Sequence, residues 1–345
     1  MIRITNHMMM NNYTKGVSDA FASANKAMEH AIDYRRFDEP SDDPLAASQT
    51  FDVHWMLSLN DNYSTNVSNL TGIITTADKL LQNVDTLLTN ADTGNVLQSI
   101  NGTMNSDNRK IVANQLINTR NEIVSQMNSQ YAGGYMFGGS NDTDTPFKMV
   151  GDQLYYRGVN VDTGKLESDP SKTFDLDKLA NETTYVDIGL GMKYNDDDTI
   201  DPQSVFNSSM PGIAYLGHGT DSNGNPENVC SLLTKISDTL NSVSGNEKLS
   251  TTDLDKITSY INTFRESHEK LRGGQAAIGQ KLQFLDSTSH YISQVNLNLK
   301  EKDNEVEYLS PYDAIGTFYS QKYCYEASLK VGAQILQQSL MDYLK

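Results

Sequence analysis

The chain has 345 residues and a formal net charge of −17, and 37% of its residues are hydrophobic. With glycine counted in place of tyrosine the share is about 38%, below the roughly 45–50% typical of globular domains. Such a thin core predicts an elongated chain, or one that completes its burial in an oligomer. The acidic charge excludes nucleic acid as a partner, because that binding depends on basic side chains that release counterions. No stretch approaches about 18 consecutive apolar residues, so no membrane span is predicted.

Charge and cysteine usage vary along the chain. Residues 138–225 carry fifteen acidic and six basic side chains, whereas the first 38 residues carry four acidic and five basic ones. Near-neutral ends and an acidic middle predict that the ends contact protein and the middle contacts water.

Cys230 and Cys324 fit no disulfide framework and are predicted to be free, partly buried thiols. The first twelve residues lack the long apolar run of a cleaved Sec signal.

The first predicted element is a helix whose apolar and small side chains recur at spacings of three, four and seven. Its predicted seam consists of Met10, Val17, Phe21, Ala24, Met28 and Ala31. A linker follows, with the sequence Pro40-Ser41-Asp42-Asp43-Pro44. Asp43 before Pro44 predicts a helix start, because the Asp oxygen caps free N–H groups and the proline is pre-set for the first helical position. The face that this long helix is predicted to bury consists of Met56, Leu59, Tyr63, Leu70, Ile73, Ala77, Leu80, Val84 and Leu87.

The next segments predict a turn, a third helix and then strands. Residues 92–107 are rich in Asn and Gly and are predicted to turn. The third helix is predicted over about 107–131, and its inward side chains are predicted to be Leu116, Ile123 and Met127. After Gly133, short strand-like runs such as 153–157 and 184–188 lie between clusters of Asn, Asp, Gly and Pro. These runs predict a small β-rich domain.

Helix is predicted to return near Pro226, and a long helical pattern runs over about 252–308. Ser310 before Pro311 predicts the start of a last helix. Its predicted seam consists of Ile315, Phe318, Tyr325, Leu329, Leu336 and Tyr343. The first and last helices are matched in length, since each would extend about 50 Å.

These elements predict a mainly α fold, an elongated coiled coil or helical bundle formed by both chain ends, with a small central β-rich domain inserted at the far end. The predicted divisions are a terminal coiled-coil core of 1–38 and 310–345, a helical bundle of 39–137 and 227–309, and a β-rich variable domain of 138–226. The Ala-rich N-terminal seam buries too little to offset the entropy of ordering a terminal helix. We therefore expect both ends to order when neighbouring subunits add contacts. The alternative is a self-contained antiparallel hairpin within one globular protein.

Candidate chemical sites in the sequence are weak. The six histidines are scattered without a His-x-x-x-His pair, and His268 is predicted to be solvated on a polar helix face.

Residues 274–281 mimic a phosphate-binding loop but lack its Lys-Ser/Thr end, so a close-packed patch of small residues is predicted instead. The carboxylates of 195–201 lack the glycine and glutamate of a calcium loop and predict an acidic surface turn, with a cation site as the alternative. Cys324 has no neighbouring histidine, which favours a structural role. No catalytic, metal or cofactor-binding residue is assigned, and no enzyme is predicted.

Four segments, taken in chain order, resemble the flagellin family, and within it the proteins of the junction between hook and filament. They are the opening residues 1–10, the linker and its following alanines at 40–47, residues 134–140 with Thr145-Pro146-Phe147, and the C-terminal residues 327–344. The resemblance covers both ends and leaves out the middle, which varies in this family. In one departure, Tyr34 stands where the family usually has glycine before the linker, which argues against a left-handed turn at that position.

The resemblance implies a secreted, extracellular structural subunit of the bacterial flagellum, exported unfolded through the type III apparatus and polymerising as an adapter between hook and filament. Its implied partners are further copies in a helical tube, a hook-side junction protein, filament proteins and a cytoplasmic export chaperone. The residues expected to bind that chaperone are Leu329, Ile335, Leu336 and Leu340. The residues expected to carry subunit assembly are Ile4, Met10, Val17, Phe21, Met28, Ile315, Phe318, Tyr325, Leu329, Leu336, Leu340 and Tyr343. The alternatives are a flagellin, an enzyme on an axial scaffold, or an adhesin-like surface binding module carried on a flagellin-like scaffold.

Overall fold

The computed structural model of the chain describes residues 6–97, 105–242 and 249–343, with side chains described over 8–97, 105–242 and 249–334. Within these ranges the long helices are α1 (Asn6–Asp33), α2 (Pro44–Asn90), α3 (Ser106–Met127), α6 (Val229–Asn241), α7 (Thr251–Glu307) and α8 (Pro311–Tyr343). Two short helices complete the set, α4 (Leu176–Ala180) and α5 (Gly212–Leu216). The short strands are β1 (Gln130–Tyr131), β2 (Gly134–Tyr135), β3 (Phe147–Val150), β4 (Gln153–Tyr156), β5 (Val159–Asn160), β6 (Tyr185–Val186) and β7 (Phe206–Asn207).

The chain divides into two compact units. Unit 1 comprises Met1–Asn62 and Ser293–Lys345, and unit 2 comprises Tyr63–Ile292. The helices α2 and α7 each contribute one part to unit 1 and the other to unit 2. The division into three domains proposed from the sequence stays a prediction.

In unit 1 the two terminal helices α1 and α8 pack against each other. The helix α1 buries small side chains, Ala24 and Ala27. Gly332 of α8 lies directly against the ring of Tyr13 on α1, and a Cβ at this position would displace the Tyr13 side chain. Of the predicted seam of α1, Ala24 is buried and Phe21 contacts Tyr325 of α8, whereas Met10 and Met28 are exposed and their role in assembly stays a prediction.

Both helix starts predicted from a cap residue and a proline are confirmed. The Oδ1 atom of Asp43 accepts a hydrogen bond from the backbone N–H of Ala46 at 3.0 Å, at the start of α2. Ser310 Oγ accepts from the backbone N–H of Asp313 at 3.2 Å, at the start of α8. The Ser310 hydroxyl also donates to Asp313 Oδ2 at 2.7 Å, so Ser310 and Asp313 are joined by two reciprocal hydrogen bonds.

The turn after α1 is left-handed, contrary to the expectation drawn from the missing glycine. Tyr34 has φ +61°, and its N–H donates to the carbonyl of His30 at 3.0 Å, which closes the helix end. Its carbonyl accepts from Leu309 N–H at 2.7 Å, while Arg36 N–H donates to the carbonyl of Glu307 at 2.8 Å. These hydrogen bonds on both sides hold Tyr34 in a conformation that its side chain disfavours.

In unit 2 the core is organised by seven-residue repeats on α2 and α7. One buried series of α2 in this unit is Val67, Ile74, Leu81 and Leu88, which continues the spacing of Val53 and Asn60 in the unit 1 part of the helix, and a second is Leu70, Ala77, Val84 and Ala91. The matching series of α7 is Ile257, Phe264, Leu271, Ile278, Leu285 and Ile292. Interleaved series of this kind are typical of packed helices in coiled coils and bundles. The face predicted for α2 is correct for Leu70, Ala77 and Val84, misses the first series, and is wrong at the exposed Met56.

The described part of the predicted turn at 92–107 is helical instead. Ala91–Val96 forms a π-helical turn that continues α2. Its first and last residues, Ala91 and Val96, are both buried in the core, and a spacing of five residues matches one π-helical turn. The third helix, α3, is confirmed, and so is the burial of Leu116, Ile123 and Met127.

The β region of unit 2 consists of three small antiparallel sheets, β1–β2, β3–β4–β5 and β6–β7. In the largest sheet Phe147 pairs with Tyr156, and both side chains are buried with their ring centroids 5.0 Å apart. The predicted runs at 153–157 and 184–188 contain β4 and β6. The prediction of a mainly α chain whose two ends pack together, with a small β region, is confirmed. None of the described helices has both the length and the apolar character needed to cross a bilayer.

Candidate assembly surface

Exposed large hydrophobic side chains are concentrated in unit 1, although it is the smaller unit. Of the 28 such side chains among the described residues, eighteen belong to unit 1. We call these eighteen the assembly surface: Met8, Met9, Met10, Phe21, Met28, Ile32, Leu45, Phe51, Trp55, Met56, Leu297, Tyr308, Tyr312, Ile315, Tyr319, Tyr323, Leu329 and Val331. The most exposed of them is Tyr312, at 86%. Exposed large apolar side chains gain free energy when a partner covers them, so unit 1, which holds most of them, is the candidate region for assembly.

The residues predicted to carry subunit assembly fall into three groups. Five of them belong to the assembly surface: Met10, Phe21, Met28, Ile315 and Leu329. Three are half-buried: Val17, Phe318 and Tyr325. Ile4 and the side chains of Leu336, Leu340 and Tyr343 lie outside the described residues. The assembly role of the whole set stays a prediction.

One pair of these residues meets across the two terminal helices. The ring centroids of Phe21 on α1 and Tyr325 on α8 lie 5.4 Å apart, a favourable separation for aromatic rings. Phe21 still leaves about half of its surface open, because the buried side of α1 is occupied by Ala24 and Ala27. Small residues inside and large apolar residues outside give α1 a second apolar face that the chain itself does not cover.

The linker is tied to α1 by a charged contact. Lys26 Nζ donates to Asp42 Oδ1 at 2.6 Å, and the N–H of Asp42 donates to the Glu39 carbonyl at 2.9 Å. The hydrogen bond from Lys26 lowers the pKa of Asp42, and the same bond raises the pKa of Lys26. Of the linker motif, Asp43 and Pro44 begin α2, while Pro40 and Ser41 lie exposed in the turn before it. These contacts fix the path of the chain from α1 into α2.

The predicted chaperone-binding residues are only partly described. Leu329 is exposed on α8 and could be reached by a partner. The side chains of Ile335, Leu336 and Leu340 lie outside the described residues. The chaperone site therefore stays a prediction.

In unit 2, His268 is buried rather than solvated, which corrects the expectation from the sequence. Its Nε2 lies 2.7 Å from Asp85 Oδ1, and Arg272 Nε donates to the same oxygen at 2.8 Å. Burial alone would raise the pKa of Asp85, but the hydrogen bonds from Arg272 and His268 hold it below its ordinary value. The group joins α2 to α7 as a structural contact. The signal for its burial was available, since His268 follows the buried Ile261 by seven residues.

The other chemical candidates in unit 2 have structural explanations. A Cβ at Gly274 would lie 2.7 Å from Tyr215 Cδ1, so the predicted close packing is present at Gly274, but it does not extend over 274–281, because a Cβ at Gly279 would have no neighbour within 4 Å and Ala276 and Ala277 are exposed. Residues 195–199 form an exposed turn in which Thr199 Oγ1 donates to Asp197 Oδ1 at 2.6 Å.

Of the two free thiols, Cys230 is buried, whereas Cys324 is exposed and not partly buried as predicted. Burial raises the pKa of Cys230 to about 12, which leaves it an unreactive thiol at neutral pH.

A polar cavity of about 560 Å³ is also present in unit 2. Among its lining side chains, His218 Nε2 lies 3.0 Å from Asp177 Oδ1, and Lys270 pairs with Glu227. These four described side chains are paired with one another, and no nucleophile is paired with a base among them. The cavity therefore gives no support to an enzymatic reading.

Comparison with known proteins points to the flagellum. No protein-family model matches the chain. Flagellar hook-associated protein 3 of Salmonella typhimurium is 27% identical over 150 residues, which are 43% of this chain and 47% of that protein. The Escherichia coli protein of the same name is 26% identical over 147 residues, 42% of this chain and 46% of that protein. The chain resembles flagellar hook-associated protein 3.

The match to hook-associated protein 3 is partial, because the aligned residues span about half the length of the curated relatives. The fold comparison extends further along the chain. A solved structure of a proposed flagellar hook-associated protein from Vibrio parahaemolyticus has a TM-score of 0.58 and 18% identity, and covers 77% of this chain and 100% of its own. That likeness establishes a shared fold, and the names of these relatives describe flagellar components rather than enzymes.

Proposed function

We propose that this chain is a structural subunit of the bacterial flagellum that polymerises as an adapter at the junction between hook and filament. The observation that carries the proposal is the sequence similarity to two flagellar hook-associated proteins 3. The same similarity favours a junction subunit over a filament subunit or a surface binding module. The fold shared with a further hook-associated protein supports it independently of sequence.

The physical basis of assembly in this proposal is the apolar surface of unit 1. A large aliphatic or aromatic side chain contributes roughly 1.5–3 kcal/mol when it is fully buried. Eighteen such side chains remain exposed in unit 1 and would be covered by neighbouring subunits. Neighbours would also supply the contacts that we expect the two chain ends to need for full order.

The proposed partners are further copies of the chain in a helical tube, a hook-side junction protein and the proteins of the filament. A cytoplasmic export chaperone is proposed to hold α8 before secretion, and the assembled protein is proposed to be extracellular. The acidic region 138–225 is proposed to face water rather than another subunit. In this account the chain is a mechanical component and not an enzyme.

The test compares two isoleucines that are exposed to a similar extent but belong to different units. Ile315 of α8 is 41% exposed in unit 1, and Ile111 of α3 is 55% exposed in unit 2. In cells that lack the native gene, Ile315→Asp is expected to abolish filament attachment, because a carboxylate cannot be buried against a neighbour without a large desolvation penalty. Ile111→Asp is expected to restore filaments as well as the unchanged chain does. Filaments are counted by electron microscopy.

Two controls make this comparison decisive. Both variants are purified and must show the helical circular dichroism of the unchanged chain, so that a folding defect is recognised. Equal restoration of filaments by Ile315→Asp and Ile111→Asp would contradict assembly through unit 1. Normal filaments in cells that lack the chain altogether would contradict the adapter role.

A further inference from the structure

Three ligand-type side chains converge in unit 1, on the facing parts of α2 and α7. His54 projects from α2, while Asp303 and Glu307 are one helical turn apart on α7. His54 Nε2 lies 3.1 Å from Asp303 Oδ1 and 3.6 Å from Glu307 Oε2. Each of the three side chains offers one donor atom, and these atoms all lie within 4.8 Å of one another.

The separations fit a tetrahedral metal ion. Zinc lies about 2.0–2.2 Å from imidazole nitrogen and carboxylate oxygen, so donors at tetrahedral angles lie about 3.4 Å from each other. The two nitrogen–oxygen separations, 3.1 and 3.6 Å, fall on either side of that value. One imidazole and two carboxylates form a donor set that zinc and similar transition-metal ions accept. Calcium needs six or more oxygen donors, which this cluster does not supply.

The two carboxylates lie in a partly buried setting that would favour a bound cation. The Oδ1 atom of Asp303 is buried, and the group facing it is His54 Nε2 at 3.1 Å, in a contact that lacks the geometry of a hydrogen bond. The side chain of Glu307 is only 9% exposed; its Oε1 accepts from Arg35 Nη2 at 2.8 Å, and its Oε2 lies 3.6 Å from His54 Nε2. One guanidinium against two carboxylates leaves a net charge of −1 beside His54. The His54 side chain is 54% exposed, so an ion and a water ligand can reach the cluster.

We propose that His54, Asp303 and Glu307 form a binding site for a divalent transition-metal ion, with zinc as the best-fitting ion. The fourth position is taken by water. The ion links α2 to α7 directly beside the segment where Arg35 pairs with Tyr308. Bound metal therefore holds together the place at which the chain leaves α1 and the place at which it enters α8.

The test is calorimetric titration of the full-length monomer with zinc chloride, followed by thermal unfolding with and without zinc. The unchanged chain is expected to bind one equivalent and to unfold at a higher temperature when zinc is present, because a ligand of the folded state stabilises it. His54→Ala and Asp303→Asn are expected to weaken that binding by more than about tenfold, the loss that follows even from changing a ligand's hydrogen-bond partner. Both substitutions are expected to remove the shift in unfolding temperature.

The matched control is His290→Ala. His290 also lies on α7 and is paired with a single exposed carboxylate, that of Asp286, at 3.8 Å. This variant is expected to bind zinc like the unchanged chain, and any zinc held by the exposed Cys324 is common to all variants. Zinc binding that survives in both His54→Ala and Asp303→Asn, or no saturable binding at all, would show that the cluster is an ion pair only and overturn the proposal.

Discussion

At the scale of single residues, Tyr34 shows how a local preference is overridden. Left-handed backbone costs an L-residue about 1–2 kcal/mol, which is why glycine is common at this position of a helix end. Tyr34 adopts φ +61° all the same, because its N–H and its carbonyl are both held by hydrogen bonds. A one-residue rule applied to the sequence could not foresee this, since Leu309, which supplies one of the two bonds, is far away in the chain.

The strain at Tyr34 predicts a difference between two substitutions that both remove the aromatic ring. Tyr34→Asn is expected to be more stable than Tyr34→Val by about 1 kcal/mol or more, because Asn tolerates left-handed backbone and β-branched residues do not. The difference is read as a shift in the urea midpoint of the purified chain. Equal midpoints for the two variants would mean that the turn is not left-handed in solution.

Asp162 is a second residue whose environment conflicts with its charge. Burial raises its pKa to about 6, and its Oδ1 atom is buried without a hydrogen-bond partner. The unfolded chain should titrate near the ordinary value of about 3.9. A raised pKa for an acid means that the folded state prefers the proton, so this residue makes the fold less stable as the pH rises from about 4 through 6.

Asp162→Asn is therefore expected to stabilise the chain at pH 7, by on the order of 2–3 kcal/mol. The gain should disappear at pH 4, where the native carboxyl is protonated in the folded state. Urea unfolding of the unchanged chain and of the variant at pH 7 and at pH 4 measures the stabilisation and its loss. A stabilisation of the same size at pH 4 and pH 7 would show that the effect does not come from ionisation.

At the scale of elements, the sequence predicts the helices better than it predicts their buried faces. The caps at Asp43–Pro44 and Ser310–Pro311 mark helix starts because they act through neighbours in sequence. The face of α2 is ambiguous because its apolar residues occur as adjacent pairs, such as Leu80 with Leu81. Either member of a pair satisfies a seven-residue repeat, and only packing against the rest of unit 2 decides between them.

A comparison within one such pair tests the observed face. Leu81 is fully buried, while Leu80 is half-buried at the edge of the core. Leu81→Ala is expected to destabilise the chain by about 3 kcal/mol, and Leu80→Ala by about 1 kcal/mol or less. The two variants have the same helix propensity, so the difference in free energy of unfolding reports burial alone. A larger loss for Leu80→Ala would place the other face of α2 inward.

The candidate metal cluster could not be predicted from the sequence for a related reason. His54 and the pair Asp303 and Glu307 are separated by about 250 residues, and they meet only because α2 and α7 lie side by side in one particular register. The two carboxylates, one helical turn apart, are a recognisable pattern, but such pairs are common on solvated helices. The pairing of His268 with Asp85 depends on the same kind of long-range register, although the seven-residue spacing from Ile261 could have indicated that His268 is buried.

At the scale of the whole molecule, the chain keeps its small residues inside unit 1 and its large apolar residues outside. Ala24 and Ala27 line the contact between α1 and α8, whereas most large side chains of the terminal helices remain exposed. The sequence correctly predicted two long terminal helices that pack together. Periodicity identified an apolar face on α1 that includes Met10, Phe21 and Met28, but it does not tell whether α8 or a neighbouring subunit covers each of them.

The position of the protein on the cell tests the central claim most directly. Gold-labelled antibodies against the chain are applied to intact flagella and observed by electron microscopy. The account predicts a single labelled band where the hook meets the filament, on every flagellum and nowhere else along it. Labelling along the whole filament would instead identify a filament subunit, and either that result or an unlabelled flagellum would contradict the junction assignment.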